Sequence, residues 1–262
     1  MTPLRLVVTA SEGALESLEA HLAGVPVVVH RAPLARFEPP ARWDQVDATL
    51  GRIAEYDAVA VTSPRAAAAL AARCTLLRID ASTLPVVWAS GARSAEPLAA
   101  AGARVRVAAA DVVGEQGAAS ALAAALLAAA VGPRVLFACG VPHRPTLPDA
   151  LRAGGLEVDE AVCYRTALAS TAEAARAVAR ADLLLVASPA VARLLADALP
   201  GDAVRPPLVA VGPTTAEAAA DAGWPAAAVA DAPLGEAAAA AVASLVKRLG
   251  DAAHSSRSPG AT

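Results

Sequence analysis

The stretch Asp57–Leu70, DAVAVTSPRAAAAL, decides the fold, because it returns 125 positions later as Asp182–Leu195, DLLLVASPAVARLL, with Ser63 falling on Ser188 and Pro64 on Pro189. Each copy is a short aliphatic run that stops at a serine and passes into an alanine- and leucine-rich stretch. A hydroxyl residue followed by proline suits a helix start: the side-chain oxygen accepts from a free N–H of the first turn, and proline there has no N–H to waste. Each copy therefore reads as buried strand, cap and helix.

Two further blocks repeat in the same order. Arg5–Ser11, RLVVTAS, falls on Arg134–Gly140, RVLFACG, at an offset of 129, and Gly91–Gly102, GARSAEPLAAAG, falls on Gly212–Gly223, GPTTAEAAADAG, at 121. Alanine bias would imitate the helices but not the placement of the Ser-Pro and Gly positions, so the chain reads as a duplication. Strand-like runs at Leu4–Thr9, Val25–Val29, Ala58–Val61, Val86–Trp88, Val105–Val107, Val135–Phe137, Val158–Cys163, Leu183–Val186, Leu208–Val211 and Ala227–Val229 alternate with helical stretches. Such βαβα punctuation predicts parallel sheets with helices on both faces. At 262 residues, the expectation is an α/β chain of two similar doubly wound lobes, flavodoxin- or Rossmann-like.

Composition narrows the function. Hydrophobic residues make up 56% but aromatics only 3%, and 22 Lys+Arg stand against 25 Asp+Glu for a net charge of −3. A basic groove with stacking rings, as single-strand nucleic-acid binding needs, is not encoded. The chain is too apolar for disorder and too poor in cysteine for a disulfide scaffold. Cys74, Cys139 and Cys163 form no C-x-x-C pair, and His21, His30, His143 and His254 form no H-x-x-x-H pair. No metal site or cofactor is expected, and the thiols suggest a reducing, cytoplasmic compartment. Met1–Ala10 is too short an apolar run for a signal peptide, and Gln116–Pro133, alanine-dominated and glycine-interrupted, reads as a packed helix rather than a membrane span.

The repeated blocks share a chemistry. Thr62-Ser63-Pro64-Arg65, Ser90-Gly91-Ala92-Arg93-Ser94, Ser188-Pro189 and Gly212-Pro213-Thr214-Thr215 each follow a strand and open a helix. Carboxyl ends of parallel strands are where open α/β sheets bind ligands, and helix starts favour anions. A ligand with several negative groups is the expectation. Phosphate-loop, dinucleotide and nucleophile-elbow patterns are missing from the sequence. Asp57 and Asp182 precede their strands, at the opposite end, and read as turn or cap residues rather than a catalytic pair.

These blocks resemble the uroporphyrinogen-III synthase family over nearly the whole chain. The most specific segment is Val209–Gly223, VAVGPTTAEAAADAG, followed by Val229–Ala240, VADAPLGEAAAA; Arg134–Gly140 leading into Leu151–Thr166, LRAGGLEVDEAVCYRT, also fits. The family's first strand commonly ends Thr-Arg-Pro, whereas this one ends Thr9-Ala10-Ser11, losing an arginine, and Ser94 stands where threonine is frequent. The resemblance implies one lobe from residues 1–30 plus 169–249 and another from 40–160. Extended linkers at 31–39 and 161–168 would join them across a cleft, with a disordered tail at 250–262.

It further implies that linear hydroxymethylbilane, with eight carboxylates, closes to uroporphyrinogen III with inversion of the last pyrrole ring and loss of water, with no cofactor. Tyr164 matches the family's linker tyrosine and is the candidate catalytic residue, a protonated phenol suited to assist departure of the hydroxyl. Thr62, Ser63, Arg65, Ser90, Gly91, Arg93, Ser94, Gly140, Ser188, Gly212, Pro213, Thr214 and Thr215 are candidate substrate-binding residues. The partners implied are the substrate and a hand-over from hydroxymethylbilane synthase, with a monomer and neither membrane nor nucleic acid involved. The alternative is an inactive two-lobed protein that holds a tetrapyrrole or another polycarboxylate.

Overall fold

The computed structural model describes residues 2–11, 13–108, 115–199, 201 and 203–255. The strands are β1 (Leu4–Val8), β2 (Val27–Arg31), β3 (Ala35–Glu38), β4 (Ala58–Val61), β5 (Val87–Ala89), β6 (Val105–Val107), β7 (Arg134–Val141), β8 (Glu157–Leu168), β9 (Leu183–Val186), β10 (Leu208–Ala210) and β11 (Ala228–Val229). The helices are α1 (Leu18–His21), α2 (Asp44–Leu50), α3 (Pro64–Leu76), α4 (Ala92–Ala100), α5 (Glu115–Ala128), α6 (Thr146–Ala153), α7 (Thr171–Ala179), α8 (Pro189–Asp197), α9 (Pro213–Asp221) and α10 (Gly235–Ser255). All ten strand-like runs of the sequence are strands.

Two compact units divide the chain, residues 1–36 with 167–262 and residues 37–166. In the first, the sheet order is β11-β10-β9-β1-β2; in the second it is β3-β8-β7-β4-β5-β6. Pairings β1/β2, β1/β9, β9/β10 and β10/β11 are parallel, as are β4/β5, β4/β7, β5/β6 and β7/β8. Starting from β9 in one unit and β4 in the other, both sheets share the order 3-2-1-4-5, and in the second β3 adds a sixth strand beside β8. The sequence repeat places β1 on β7, β4 on β9 and β5 on β10, so each sheet takes strands from both halves of the duplication.

The central strands β4, β5, β9 and β10 are buried on both faces, which explains strands that read as unbroken apolar runs. In β4, Val59 and Val61 pack under α3 and α4 with Leu70, Leu98 and Leu136, while Ala58 and Ala60 face Leu122, Leu126, Leu147 and Leu151 from α5 and α6. In the first unit, Leu184 and Val186 meet α7, α8 and α9, while Leu183 and Leu185 meet α1 and α10. The turns after the helices repeat as well. Gly102 and Gly223 take φ of +95° and +72° after α4 and α9, a region that glycine enters without a Cβ clash.

One expectation gains detail and another changes. Within the stretches read as extended linkers, Ala35–Glu38 is strand β3, bonded beside β8, which itself runs to Leu168. The tail begins later than residue 250, because α10 continues through Ser255; the rest of the expected tail lies outside the described residues.

Candidate active site

In the unit of residues 37–166, the site grows from the carboxyl edge of the sheet. Strand β4 ends at Val61, and Thr62 and Ser63 lead into α3, with Ser63 as its N-cap and Pro64 in the first turn. Across the sheet, β8 carries a bulge: Cys139 pairs with Val162, but Gly140 pairs with Tyr164, so Cys163 is the extra residue. A bulge re-aims the side chain that follows it. Tyr164 lies over Gly140, where an added Cβ would sit 2.1 Å from the ring's Cζ. Gly140 belongs to β7, between β8 and β4, so the missing side chain is what lets the phenol cross one strand. Its hydroxyl comes 3.3 Å from Ser63 Oγ, and either oxygen can be the donor.

A third residue, not singled out by the sequence, completes the cluster. Phe37 stands edge-on to Tyr164, centroids 5.8 Å apart at 73°, and the Arg65 guanidinium sits 3.6 Å over the Phe37 ring. Edge-to-face and cation–π contacts of this kind fix side chains that would otherwise swing freely. The run therefore reads Arg65, Phe37, Tyr164, Ser63: a guanidinium and two hydroxyls held by rings. Arg165, next to Tyr164, is committed to Glu38.

The other candidates of this unit lie on the neighbouring loop. Gly91 is the N-cap of α4 in extended backbone, with Ser90 half-buried and Arg93 exposed. Ser90 Oγ donates to the Thr62 carbonyl at 3.4 Å. Ser94 is only 5% exposed, so it offers little surface to a ligand.

In the other unit, Ser188 caps α8 by accepting from the Val191 N–H at 3.3 Å. Ser63 makes no such capping bond, and this separates the two serines that the repeat equates. Gly212 caps α9, Pro213 and Thr214 are exposed, and Thr215 is 3% exposed. Thr9, at the divergent end of the first strand, gives its hydroxyl to the Leu185 carbonyl. The chain's other tyrosine, Tyr56, in the unit of residues 37–166, donates to Asp159 Oδ2 at 2.6 Å, and burial together with that carboxylate raises its pKa. The unit of residues 1–36 and 167–262 also holds a cavity of about 590 Å³ beside edge strand β2, lined by Arg5, Arg31, Arg36, Arg176 and Arg180 with Glu173. None of the sequence candidates lines it.

For a metal, the described residues bring together Cys139, His143 and Glu160, whose ligand atoms lie within 4.8 Å of one another. Burial, and next the Glu160 charge, push the Cys139 thiol up to about 12. Burial raises Glu160, but bonds from Arg152 and His143 outweigh it and leave the carboxyl below its ordinary value.

Among known proteins, the HEM4 family model, uroporphyrinogen-III synthase HemD, matches residues 16–240. A crystal structure of a mutant uroporphyrinogen III synthase from the extremely thermophilic bacterium Thermus thermophilus superposes with a TM-score of 0.58 at 17% identity, covering 96% of this chain and 99% of that one. Uroporphyrinogen-III synthetase from Helicobacter pylori gives 0.59 at 17%, covering 92% and 99%. No curated protein matches the chain. Among the described residues no helix is long and apolar enough to cross a membrane.

Proposed function

The chain belongs to the uroporphyrinogen-III synthase family, and from that premise we propose how its residues carry the family's reaction. The enzyme is a cyclising hydro-lyase acting on a small molecule, hydroxymethylbilane. The observation that carries the assignment of roles is the Tyr164 hydroxyl, passed across Gly140 to Ser63.

The C–O bond of the hydroxymethyl group breaks with a proton from Tyr164, and water leaves. The pyrrole nitrogen lone pair stabilises the resulting azafulvene cation, so no covalent enzyme intermediate is needed. The electron-rich substituted α-carbon of the terminal ring attacks it to form a spiro intermediate. Rearrangement inverts that ring, and the final loss of a proton restores the pyrrole and returns the one that Tyr164 gave. Ser63 orients the phenol. The larger contribution is positional, since unguided closure joins the free position and gives the type I isomer.

Carboxylates of the substrate are held by Arg65, Arg93 and the hydroxyls and N–H groups of Thr62, Ser63, Ser90 and Gly91. In the other unit Ser188, Gly212, Pro213 and Thr214 provide the same kind of edge. Ser94 and Thr215, nearly buried, shape the two helix starts. Gly140 acts by making room for Tyr164 rather than by touching substrate. Arg65 supports this reading best, being exposed yet fixed over a ring.

The cysteines are free and buried, which favours a reducing cytoplasm. Exposed large apolar side chains such as Leu76, Val204 and Leu234 come from separate segments, which favours a monomer. A substrate that closes spontaneously favours direct hand-over from hydroxymethylbilane synthase. The deciding experiment generates hydroxymethylbilane in situ, adds the protein, oxidises and resolves the isomers. Predominantly type III product is expected; predominantly type I would leave a binding protein without turnover.

A further inference from the structure

We propose that Cys139 Sγ, His143 Nε2 and Glu160 Oε2 form a zinc site on the sheet face opposite Tyr164. Phe137, Cys139 and Glu160 share that face: Phe137 and Cys139 are two apart on β7, and Glu160 is the β8 partner of Phe137. His143 follows the end of β7 and is pinned edge-on to Phe137, centroids 5.4 Å apart at 85°. All three ligand atoms therefore converge by strand register and one ring contact.

The distances suit a small ion. The ligand atoms lie within 4.8 Å of one another, and a tetrahedral zinc with bonds of about 2.0–2.3 Å holds its ligands about 3.5 Å apart. Side-chain rotations close the difference.

The outer contacts orient the ligands. His143 Nδ1 lies 3.0 Å from the Arg144 carbonyl, which can only accept, so Nδ1 carries the hydrogen. Nε2 faces a second acceptor, Glu160 Oε2, at 2.9 Å. Nε2 and Oε2 are thus both turned toward the space where the ion would sit. Arg152 holds the other oxygen, Glu160 Oε1, at 2.9 Å, leaving Oε2 turned inward. A backbone carbonyl behind the imidazole and a fixed carboxylate are the supports a zinc-bound histidine and glutamate usually have.

The donor set selects the ion. Sulfur, imidazole and carboxylate suit zinc, whereas magnesium and calcium take oxygen ligands. The side chains of His143 and Glu160 are 23% and 29% exposed, so the ion enters from solvent and meets the sulfur, 1% exposed, at the floor. Binding releases the thiol proton to solvent. The ion would tie the end of β7 to β8 behind the bulge; no step of the proposed reaction uses it.

The test uses the full chain, stripped with a chelator and titrated with Co2+ and then Zn2+. One Co2+ per chain is expected, with a thiolate-to-cobalt charge-transfer absorption that Zn2+ abolishes, and a Tm that rises with Zn2+. Cys139→Ser should remove the absorption and Cys74→Ser should keep it. His143→Ala and Glu160→Gln, on the solvent side and checked for fold by circular dichroism, should weaken zinc binding at least ~10-fold. Absence of uptake by the parent chain, a charge-transfer band that survives Cys139→Ser, or unchanged affinity in His143→Ala would each overturn the site.

Discussion

Asp57 and Arg134 clasp each other where two neighbouring strands begin: the Asp57 N–H donates to the Arg134 carbonyl at 2.8 Å, and Asp57 Oδ2 accepts from the Arg134 N–H at 2.9 Å. Their counterparts in the repeat do the same, Asp182 to the Arg5 carbonyl at 2.9 Å and Arg5 N–H to Asp182 Oδ2 at 2.7 Å. Each aspartate stands at the edge remote from the helix starts, where it fixes the register of the central pair of strands. Asp57→Ala and Asp182→Ala should each lower Tm by a few degrees with activity per folded molecule unchanged. A Cβ at Gly132 would lie 2.3 Å from the Asp57 carboxylate, so Gly132→Ala should behave alike. Thermal unfolding with isomer analysis checks this, and a drop in type III yield per folded molecule would move the aspartates toward the chemistry.

Tyr164→Phe keeps the ring that packs on Phe37 and removes only the hydroxyl. Turnover should fall several-fold with Tm nearly unchanged. Gly140→Ala should do more, since the ring must leave its place altogether. Unchanged type III formation by Tyr164→Phe would remove the phenol from the mechanism.

Ser63 and Ser188 occupy one position of the repeat but spend their hydroxyls differently. Ser188→Ala should cost about 1 kcal/mol of stability through the lost cap, read from urea unfolding. Ser63→Ala should cost less stability and more turnover, because its oxygen faces Tyr164 rather than its own helix. Equal effects of the two variants on both measurements would mean that Ser63 is an ordinary cap.

Thr215→Met places a long side chain where the threonine is 3% exposed. Overpacking should cost about 1–3 kcal/mol and shift the start of α9, weakening substrate binding. An unaltered KM in the folded variant would count against this loop as part of the site.

In the metal-free chain, where Cys139 carries its proton, alkaline pH should destabilise the fold through its thiols. Burial pushes Cys139 and Cys163 up to about 12, from 9.0 for a free thiol. Below pH 9 both states hold the protons; between 9 and 12 the unfolded chain releases them while the native one keeps them, so stability falls as pH rises. A Cys139→Ala, Cys163→Ala double variant should show a flatter decline of Tm above about pH 9. An identical slope would assign the alkaline loss to other groups.

The strands and their order of appearance were legible in the sequence because a doubly buried strand is apolar without alternation, and because Ser63, Ser188, Gly91 and Gly212 mark where helices start. What escaped depends on contacts between distant segments. Ala35–Glu38, ARFE, is half charged and joins a sheet only because β8 runs beside it. Phe37 is one of two phenylalanines, yet nothing local ties it to Tyr164, which lies well over a hundred residues on. The four-residue step from Cys139 to His143 matches no standard ligand spacing and reads as nothing alone, because Glu160 arrives only by strand register. The end of α10 was misjudged because Gly250 costs a helix only about 1 kcal/mol and did not stop it.

The mixed parentage of the two sheets bears on the order in which a nascent chain acquires structure. Residues 37–166 form an uninterrupted segment that closes its own sheet as soon as β8 has been synthesised. β1 is made before that segment, yet one of its two neighbours in the sheet, β9, is made after it, since Leu6 pairs with Leu183. Until β9 leaves the ribosome, the side of β1 that it will cover stays an open strand edge, exposed to aggregation while the intervening unit folds.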